Sequence, residues 1–177
     1  MEFLPNFLSD QQAQRLAAWC LQSGALKWQQ ESFSIYGRQI TAPRWSAWFG
    51  DDGLNYRYSG TDHRTSGWPD ELRVLLNQVN VKADCRFNFV LVNRYDDGSH
   101  YMGWHRDDET GAGPVIASVS VGGTRRFRYR TAPGTASTAI DLSPGSLLIF
   151  DGRLQHTLTR TARNVPVRIN LTFRSIH

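Results

Sequence analysis

His105 and Asp107 stand two residues apart, and a third candidate ligand, His156, follows much later in the chain. In an extended segment, residues i and i+2 point to the same side, so His105 and Asp107 can share one metal. A neighbouring strand can bring His156 to it. Two imidazoles and one carboxylate suit Fe(II) held on one face, with positions left open for O2 and an organic acid. Cysteine ligands would soften such a site, and a full set of histidines would close it. A His-x-Asp pair also arises by chance in surface loops, so the spacing alone leaves both readings standing.

Two further segments carry polar groups at strand spacing. Val167, Ile169, Leu171 and Phe173 alternate with Arg168, Asn170, Thr172 and Arg174. One reading is an amphipathic strand with its polar side in water. The other is a pair of guanidinium forks on one face, able to clamp a dicarboxylate. In residues 87–95 (FNFVLVNRY), Asn93 and Tyr95 succeed Phe87, Phe89 and Leu91 on one face. That is the pattern of a strand leaving a core and entering a pocket.

The elements that must position these groups are legible from periodicity. Ser9 is placed to cap a helix, Gln12 completes a capping box, and Ala13, Leu16, Ala17, Cys20 and Leu21 follow at helical spacing up to Gly24. Pro69 suits the first turn of a second helix that buries Leu72, Leu75, Leu76 and Val79. Alternation with period two marks strands at 87–95, 115–121, 126–130, 139–142, 147–150 and 167–174. Turns at Asp96-Asp97-Gly98, Gly122-Gly123, Pro133-Gly134 and Pro144-Gly145 separate them. Many short strands after two helices predict a mainly β fold with flanking helices, a sandwich or jelly roll. The segment 32–67 reads as its most loop-like part.

The chain has 177 residues, 40% of them apolar, enough for one domain over residues 1–177 with its own core. No apolar run reaches the length of about 18 residues that a membrane helix needs, so no membrane partner is expected. The first ten residues, MEFLPNFLSD, have no basic stretch, so no secretory leader is expected either. Cys20 and Cys85 lie far apart and outside any Cys-x-x-Cys motif, which fits a reducing cytoplasm and excludes a disulfide framework. A net charge of +4 permits a polyanionic partner through counterion release, as it does for many unrelated proteins. On residues 126–130 (RFRYR), Arg126, Arg128 and Arg130 share a face, either a phosphate-contacting stripe or a solvated strand face. His63, His100 and His177 read as surface or hydrogen-bonded residues, and Trp28, Trp45, Trp48 and Trp68 as residues that pack the core or frame a lid. Trp104 stands next to His105, with no signal for the direction it takes.

Over residues 35–174 the sequence resembles the AlkB family of 2-oxoglutarate-dependent dealkylating dioxygenases, especially its DNA-repair branch. The matching stretches are Pro43-Arg44, YRYSG at 56–60, FNFVLVNRYDDG at 87–98 and GWHRDDE at 103–109. They continue with IASVSVG at 116–122, GSLLIFDG at 145–152, His156 and RINLTFR at 168–174. The resemblance implies a double-stranded β-helix core at about 85–175, preceded by helices and a nucleotide-recognition lid at about 1–80. It implies Fe(II) held by His105, Asp107 and His156, with 2-oxoglutarate and O2 as cosubstrates. Asn93 and Tyr95 would bind 2-oxoglutarate, Arg168 its far carboxylate, and Asn170 and Arg174 would lie near its chelating end. On the substrate side, Glu109 would meet the exocyclic group of a damaged base and Tyr58 would stack on it. Tyr36 matches the tip of a finger that fills the gap left by a flipped base, while Arg44 and Tyr56 would contact the base from the lid.

The implied activity is oxidative dealkylation of bases such as 1-methyladenine and 3-methylcytosine in DNA, by a monomer acting in the cytoplasm. A demethylase of RNA or single strands, a 2-oxoglutarate-dependent protein hydroxylase and a catalytically silent nucleic-acid binder are the competing readings. Tyr36 speaks for duplex DNA, Glu109 and Tyr58 for a base, and the intact ligand set against a silent binder.

Overall fold

The computed structural model describes residues 1–35, 38–58 and 61–177. Ser9 Oγ accepts from the Gln12 N–H and Gln12 Oε1 from the Ser9 N–H, the expected reciprocal cap, and helix α1 runs Asp10–Gln22. Helix α2 spans Asp70–Ala83, and Pro69 stands just outside it as N-cap rather than in the first turn. Asp70 and Glu71 complement the positive end of α2, which stops at Asp84 in a left-handed conformation.

Before α2 the strands are β1 (Glu2–Leu4), β2 (Ser32–Ile35), β3 (Arg38–Thr41), β4 (Trp45–Gly50), β5 (Asn55–Tyr58) and β6 (Thr61–Arg64). After it come β7 (Phe89–Tyr95), β8 (Met102–His105), β9 (Val115–Gly122) and β10 (Arg125–Arg130). β11 (Thr138–Leu142), β12 (Leu147–Asp151), β13 (Gln155–Leu158) and β14 (Arg168–Arg174) complete the chain. Six form a large sheet in the order β1-β12-β9-β14-β7-β4, and four a smaller one in the order β11-β10-β13-β8. Two hairpins, β2-β3 and β5-β6, stand apart from both sheets. This is the mainly β architecture with two helices that the periodicity predicts.

The segment 32–67 is the main correction to the sequence reading. It is strand-rich rather than loop-like, because β2 pairs with β3, β5 with β6, and β4 adds to the edge of the large sheet beside β7. Its polar residues weaken the alternation that marks a half-buried strand. The backbone pairing forms regardless.

The large sheet is buried on both faces. On one, Val90, Val92, Val119, Val121, Ile169, Leu171 and Phe173 pack with Ala13 and Cys20 of α1 and Leu72, Leu75 and Val79 of α2. Phe87 belongs to this core rather than to the opposite face, since β7 begins only at Phe89. On the other face, Ile116, Leu148 and Phe150 meet Phe127 and Leu142 of the small sheet, and these close one end of the space between the sheets. The polar residues of β14 point into that space, so the strand is buried along its whole length. The reading of a strand with its polar side in water is thereby excluded.

Candidate active site

Register builds the site. Across the inner face of the large sheet, Asn170 lies opposite Ser120 on one side and Asn93 on the other, and Asn93 opposite Ser46. Arg168 lies opposite Tyr95, and Thr172 between Ser118 and Leu91. In the small sheet, His156 of β13 lies directly opposite His105 of β8, with ring centroids 4.1 Å apart. Asp107, two residues past His105, is tied by its backbone N–H to the Gly152 carbonyl at 2.8 Å. A Cβ at Gly152 would collide with the carbonyl oxygen of Asp107, so only glycine allows this approach.

Both histidines are oriented alike. Nδ1 of His105 lies 2.8 Å from the Gly103 carbonyl, and Nδ1 of His156 lies 2.8 Å from the Leu154 carbonyl. Each Nδ1 must therefore donate, which leaves each Nε2 as a lone-pair donor facing Asp107. Those nitrogens lie 3.6 and 3.9 Å from the two carboxylate oxygens. Burial pulls the pKa of His105 down to about 4, with His156 adding to the effect and Asp107 opposing it. Burial likewise lowers that of His156. Burial would raise Asp107, but Arg174, His156 and His105 together overturn it and hold the carboxyl below its usual value. Neutral imidazoles and an anionic carboxylate are the protonation states a cation requires.

The three groups fit a metal on the structure's own terms. Their ligand atoms all lie within 4.8 Å of one another, and Asp107 Oδ1 is buried with no hydrogen-bond partner. A buried carboxylate oxygen without a donor is costly unless a cation meets it. Arg174 supports the other oxygen, with Nη2 3.0 Å from Asp107 Oδ2. Its Nη1 lies 3.3 Å from Glu109 Oε2, which also accepts from the Tyr56 hydroxyl at 3.0 Å.

The same cavity extends from His105, Asp107 and His156 to Asn93, Tyr95 and Arg168. Arg168 is 2% exposed, donates from Nη2 to Ser120 Oγ at 2.9 Å, and leaves Nε without a partner. Burial pulls its pKa down to about 10, which still leaves a cation at neutral pH. Among the described residues no carboxylate pairs with it. Asn93 Oδ1 accepts from Arg44 Nε at 3.1 Å and from Ser46 Oγ at 3.4 Å, which turns its NH2 group away from those donors. Asn170 is engaged at both ends, donating to Ser118 Oγ and the Val119 carbonyl and accepting from Thr172 Oγ1.

The expected lid residues are placed differently from one another. Arg44 and Tyr56 are buried, at 4% and 1% exposure, with their polar ends on Asn93 and Glu109 respectively. Tyr36 and the side chain of Tyr58 lie outside the described residues; the Tyr58 backbone ends β5 opposite Thr61. Trp104 turns outward and lies under the Arg130 guanidinium, 4.1 Å from the ring centroid. Arg126, Arg128 and Arg130 of β10 bond to neighbouring side chains, Asp141, Ser137 and Gln155 respectively, as a solvated strand face would. Sequence reasoning missed Glu31 and gave His63 no role, although both are buried and Glu31 faces His63 with one oxygen and Arg44 with the other. Neither carries a local signal, since their pairing spans thirty-odd residues and exists only in the folded chain.

Residues 1–174 match the family model of the 2OG-Fe(II) oxygenase superfamily. Human DNA oxidative demethylase ALKBH2 is 36% identical over 156 residues, covering 80% of this chain and 60% of that protein. Human alpha-ketoglutarate-dependent dioxygenase alkB homolog 3 is 34% identical over 151 residues, covering 76% of this chain and 52% of that one. The chain thus spans between half and two thirds of the length of these curated relatives. The solved structure of OsALKBH1 superposes with a TM-score of 0.71 at 18% identity, over 98% of this chain and 95% of that one. A 2OG-Fe(II) oxygenase family oxidoreductase from Burkholderia pseudomallei gives 0.65 at 13% identity, over 99% and 84%. These two likenesses establish a common fold. With a matching family model, identities above a third to curated relatives and a ligand set placed by strand register, the chain belongs to the AlkB family of the 2OG-Fe(II) oxygenase superfamily.

Proposed function

We propose that the protein oxidatively removes alkyl groups from N-alkylated bases in DNA, coupled to decarboxylation of 2-oxoglutarate. The observation that carries this reading is a single cavity onto which the His105–Asp107–His156 set and Arg168, which no carboxylate pairs with among the described residues, both open. The names of the curated relatives support DNA as the substrate class.

Nε2 of His105, Nε2 of His156 and the orphaned Oδ1 of Asp107 would hold Fe(II). Iron held there, with 2-oxoglutarate and O2, would supply the oxidation of the N-linked carbon that releases the alkyl group from the base as an aldehyde. The protein's own part is placement. Arg168 presents a buried positive charge to the far carboxylate of 2-oxoglutarate, in a setting where water screens it little. The ring of Tyr95, 5.4 Å from that guanidinium, walls the same end, and the Asn93 amide offers an N–H donor alongside. Asn170 holds the floor between them through its three hydrogen bonds. Arg174 keeps Asp107 anionic.

A base stacked in a duplex cannot reach a site this deep, so it must be flipped or unpaired, and an alkyl group on the pairing edge lowers that cost. Tyr58 would stack on the extruded base and Tyr36 would fill the gap. Glu109 has Oε2 engaged by Tyr56 and Arg174, which leaves Oε1 to accept from an exocyclic amino group. Arg44 and Tyr56 would act on substrates through Asn93 and Glu109.

The test is incubation with Fe(II), ascorbate and an oligonucleotide carrying one 1-methyladenine, with and without 2-oxoglutarate, followed by mass spectrometry. We expect loss of one methylene unit that requires 2-oxoglutarate and vanishes in His105→Ala. Parallel single-stranded, duplex and RNA substrates separate the competing readings. Turnover of 2-oxoglutarate to succinate with no change in any oligonucleotide would overturn the substrate assignment.

A further inference from the structure

Beneath the β5-β6 hairpin lies a chain of buried polar contacts that the chemistry above does not use. His63, on β6, is fully buried, with Nε2 2.8 Å from Glu31 Oε1 and Nδ1 3.3 Å from the Tyr56 carbonyl on β5. Trp48 of β4 meets its ring edge-on at 4.3 Å. Glu31 is itself buried, and its second oxygen lies 3.5 Å from Arg44 Nη2. Arg44 in turn donates from Nε to Asn93 Oδ1, on the wall of the cavity that contains Arg168. The backbone repeats the tie, since Ala42 N–H donates to the Glu31 carbonyl at 2.7 Å.

A buried carboxylate is retained at a cost, and removing one partner leaves the others' charges uncompensated. Here one carboxylate serves two elements. It hydrogen-bonds the histidine whose other nitrogen contacts the backbone of β5, and through an ion pair at 3.5 Å, without a hydrogen bond, it faces the guanidinium that sets which way the Asn93 amide turns. An asparagine amide is nearly symmetric in shape, and only its hydrogen-bond partners decide which end is the oxygen. With Arg44 fixed on Oδ1, the NH2 group is the end left for the cavity.

We propose that Glu31 is a positioning residue that couples the orientation of the Asn93 amide to the β5-β6 hairpin, so that 2-oxoglutarate in the cavity and the recognition hairpin stabilise each other. The coupling rests on the reading of this cavity as the 2-oxoglutarate site. It is reciprocal, because whatever binding energy the hairpin lends to the cosubstrate the cosubstrate must return to the hairpin.

The experiment uses the protein loaded with Co(II) in place of iron and titrated with 2-oxoglutarate by calorimetry. Amide hydrogen exchange over residues 55–64 is followed in the same samples. In wild type, 2-oxoglutarate should slow exchange in that hairpin. Glu31→Gln should raise the dissociation constant for 2-oxoglutarate about tenfold, the loss of one oriented hydrogen bond. It should also abolish the protection while leaving the Co(II) absorption spectrum unchanged. Should Glu31→Gln not fold, Ser46→Ala tests the amide directly, since it removes the second donor to Asn93 Oδ1 without stranding a charge, and should weaken 2-oxoglutarate binding but not Co(II) binding. Hairpin protection that persists in the variant, or an affinity within twofold of wild type, would overturn the proposal. Wild-type protein that takes up Co(II) but no 2-oxoglutarate would overturn the cavity assignment itself and the coupling with it.

Discussion

Asp107 sits where burial opposes its charge, and it is anionic because Arg174 stands 3.0 Å from Oδ2. Arg174 would thereby act on a bound metal without touching it. Arg174→Met should lower Co(II) affinity about 10–100-fold, the usual cost of losing a group that orients a ligand. A Co(II) titration followed by absorbance checks this, and an unchanged affinity would show that the two histidines alone hold Asp107 in place. The shared side of His105 and Asp107, and of the two arginines of β14, was legible because strand spacing puts residues i and i+2 on one side, while His156 joined them only through the family resemblance. Arg44 and Tyr56 were read as substrate contacts, yet their polar ends turn inward to Asn93 and Glu109. Their spacing looks the same in either orientation. Which way a lone arginine points depends on a distant carboxylate, Glu31, and sequence periodicity carries no such information.

The elements divide along the same line. Strands β1, β8 and β13, at three or four residues, are too short to show alternation. Helices α1 and α2 and strands β7, β9, β10, β11, β12 and β14 announce themselves, because each has one apolar face and a turn signal at its end. The hairpins of 32–67 do not, since neither joins a sheet and their residues need not alternate. The turn from β12 to β13 shows what an element boundary can control. Gly152 accepts from Asp107 N–H and donates to the Pro114 carbonyl, both at 2.8 Å. Gly152→Ala should push the Asp107 backbone away, at a cost of about 1–3 kcal/mol for the overpacking. We expect a lower melting temperature together with a loss of Co(II) affinity. A drop in melting temperature with full metal affinity would mean that the turn yields while Asp107 stays where it is.

At the scale of the whole molecule, the two sheets differ in what holds them. The large sheet is enclosed by α1 and α2 on one side and by the small sheet on the other. The small sheet ends, among the described residues, at β8, whose pairing with β13 is interrupted by a register shift between His156 and Leu158. The chain continues from β8 through the exposed Arg106 to Asp107. Two of the three candidate ligands, His105 and Asp107, are thus carried on or just beyond an edge strand with interrupted pairing, and a bound ion would fasten that strand to its neighbour. The ion should therefore govern how long the protein survives as well as whether it works. Stripped of metal with dipicolinate, the chain should open at β8 often enough for trypsin to cut after Arg106, which parts His105 from Asp107 for good. Loaded with Co(II), it should resist that cut, and equal rates in the two states would show that the strand needs no fastening. A cell short of iron would then lose this protein by degradation, and restoring the metal would revive activity only as fast as new chains are made.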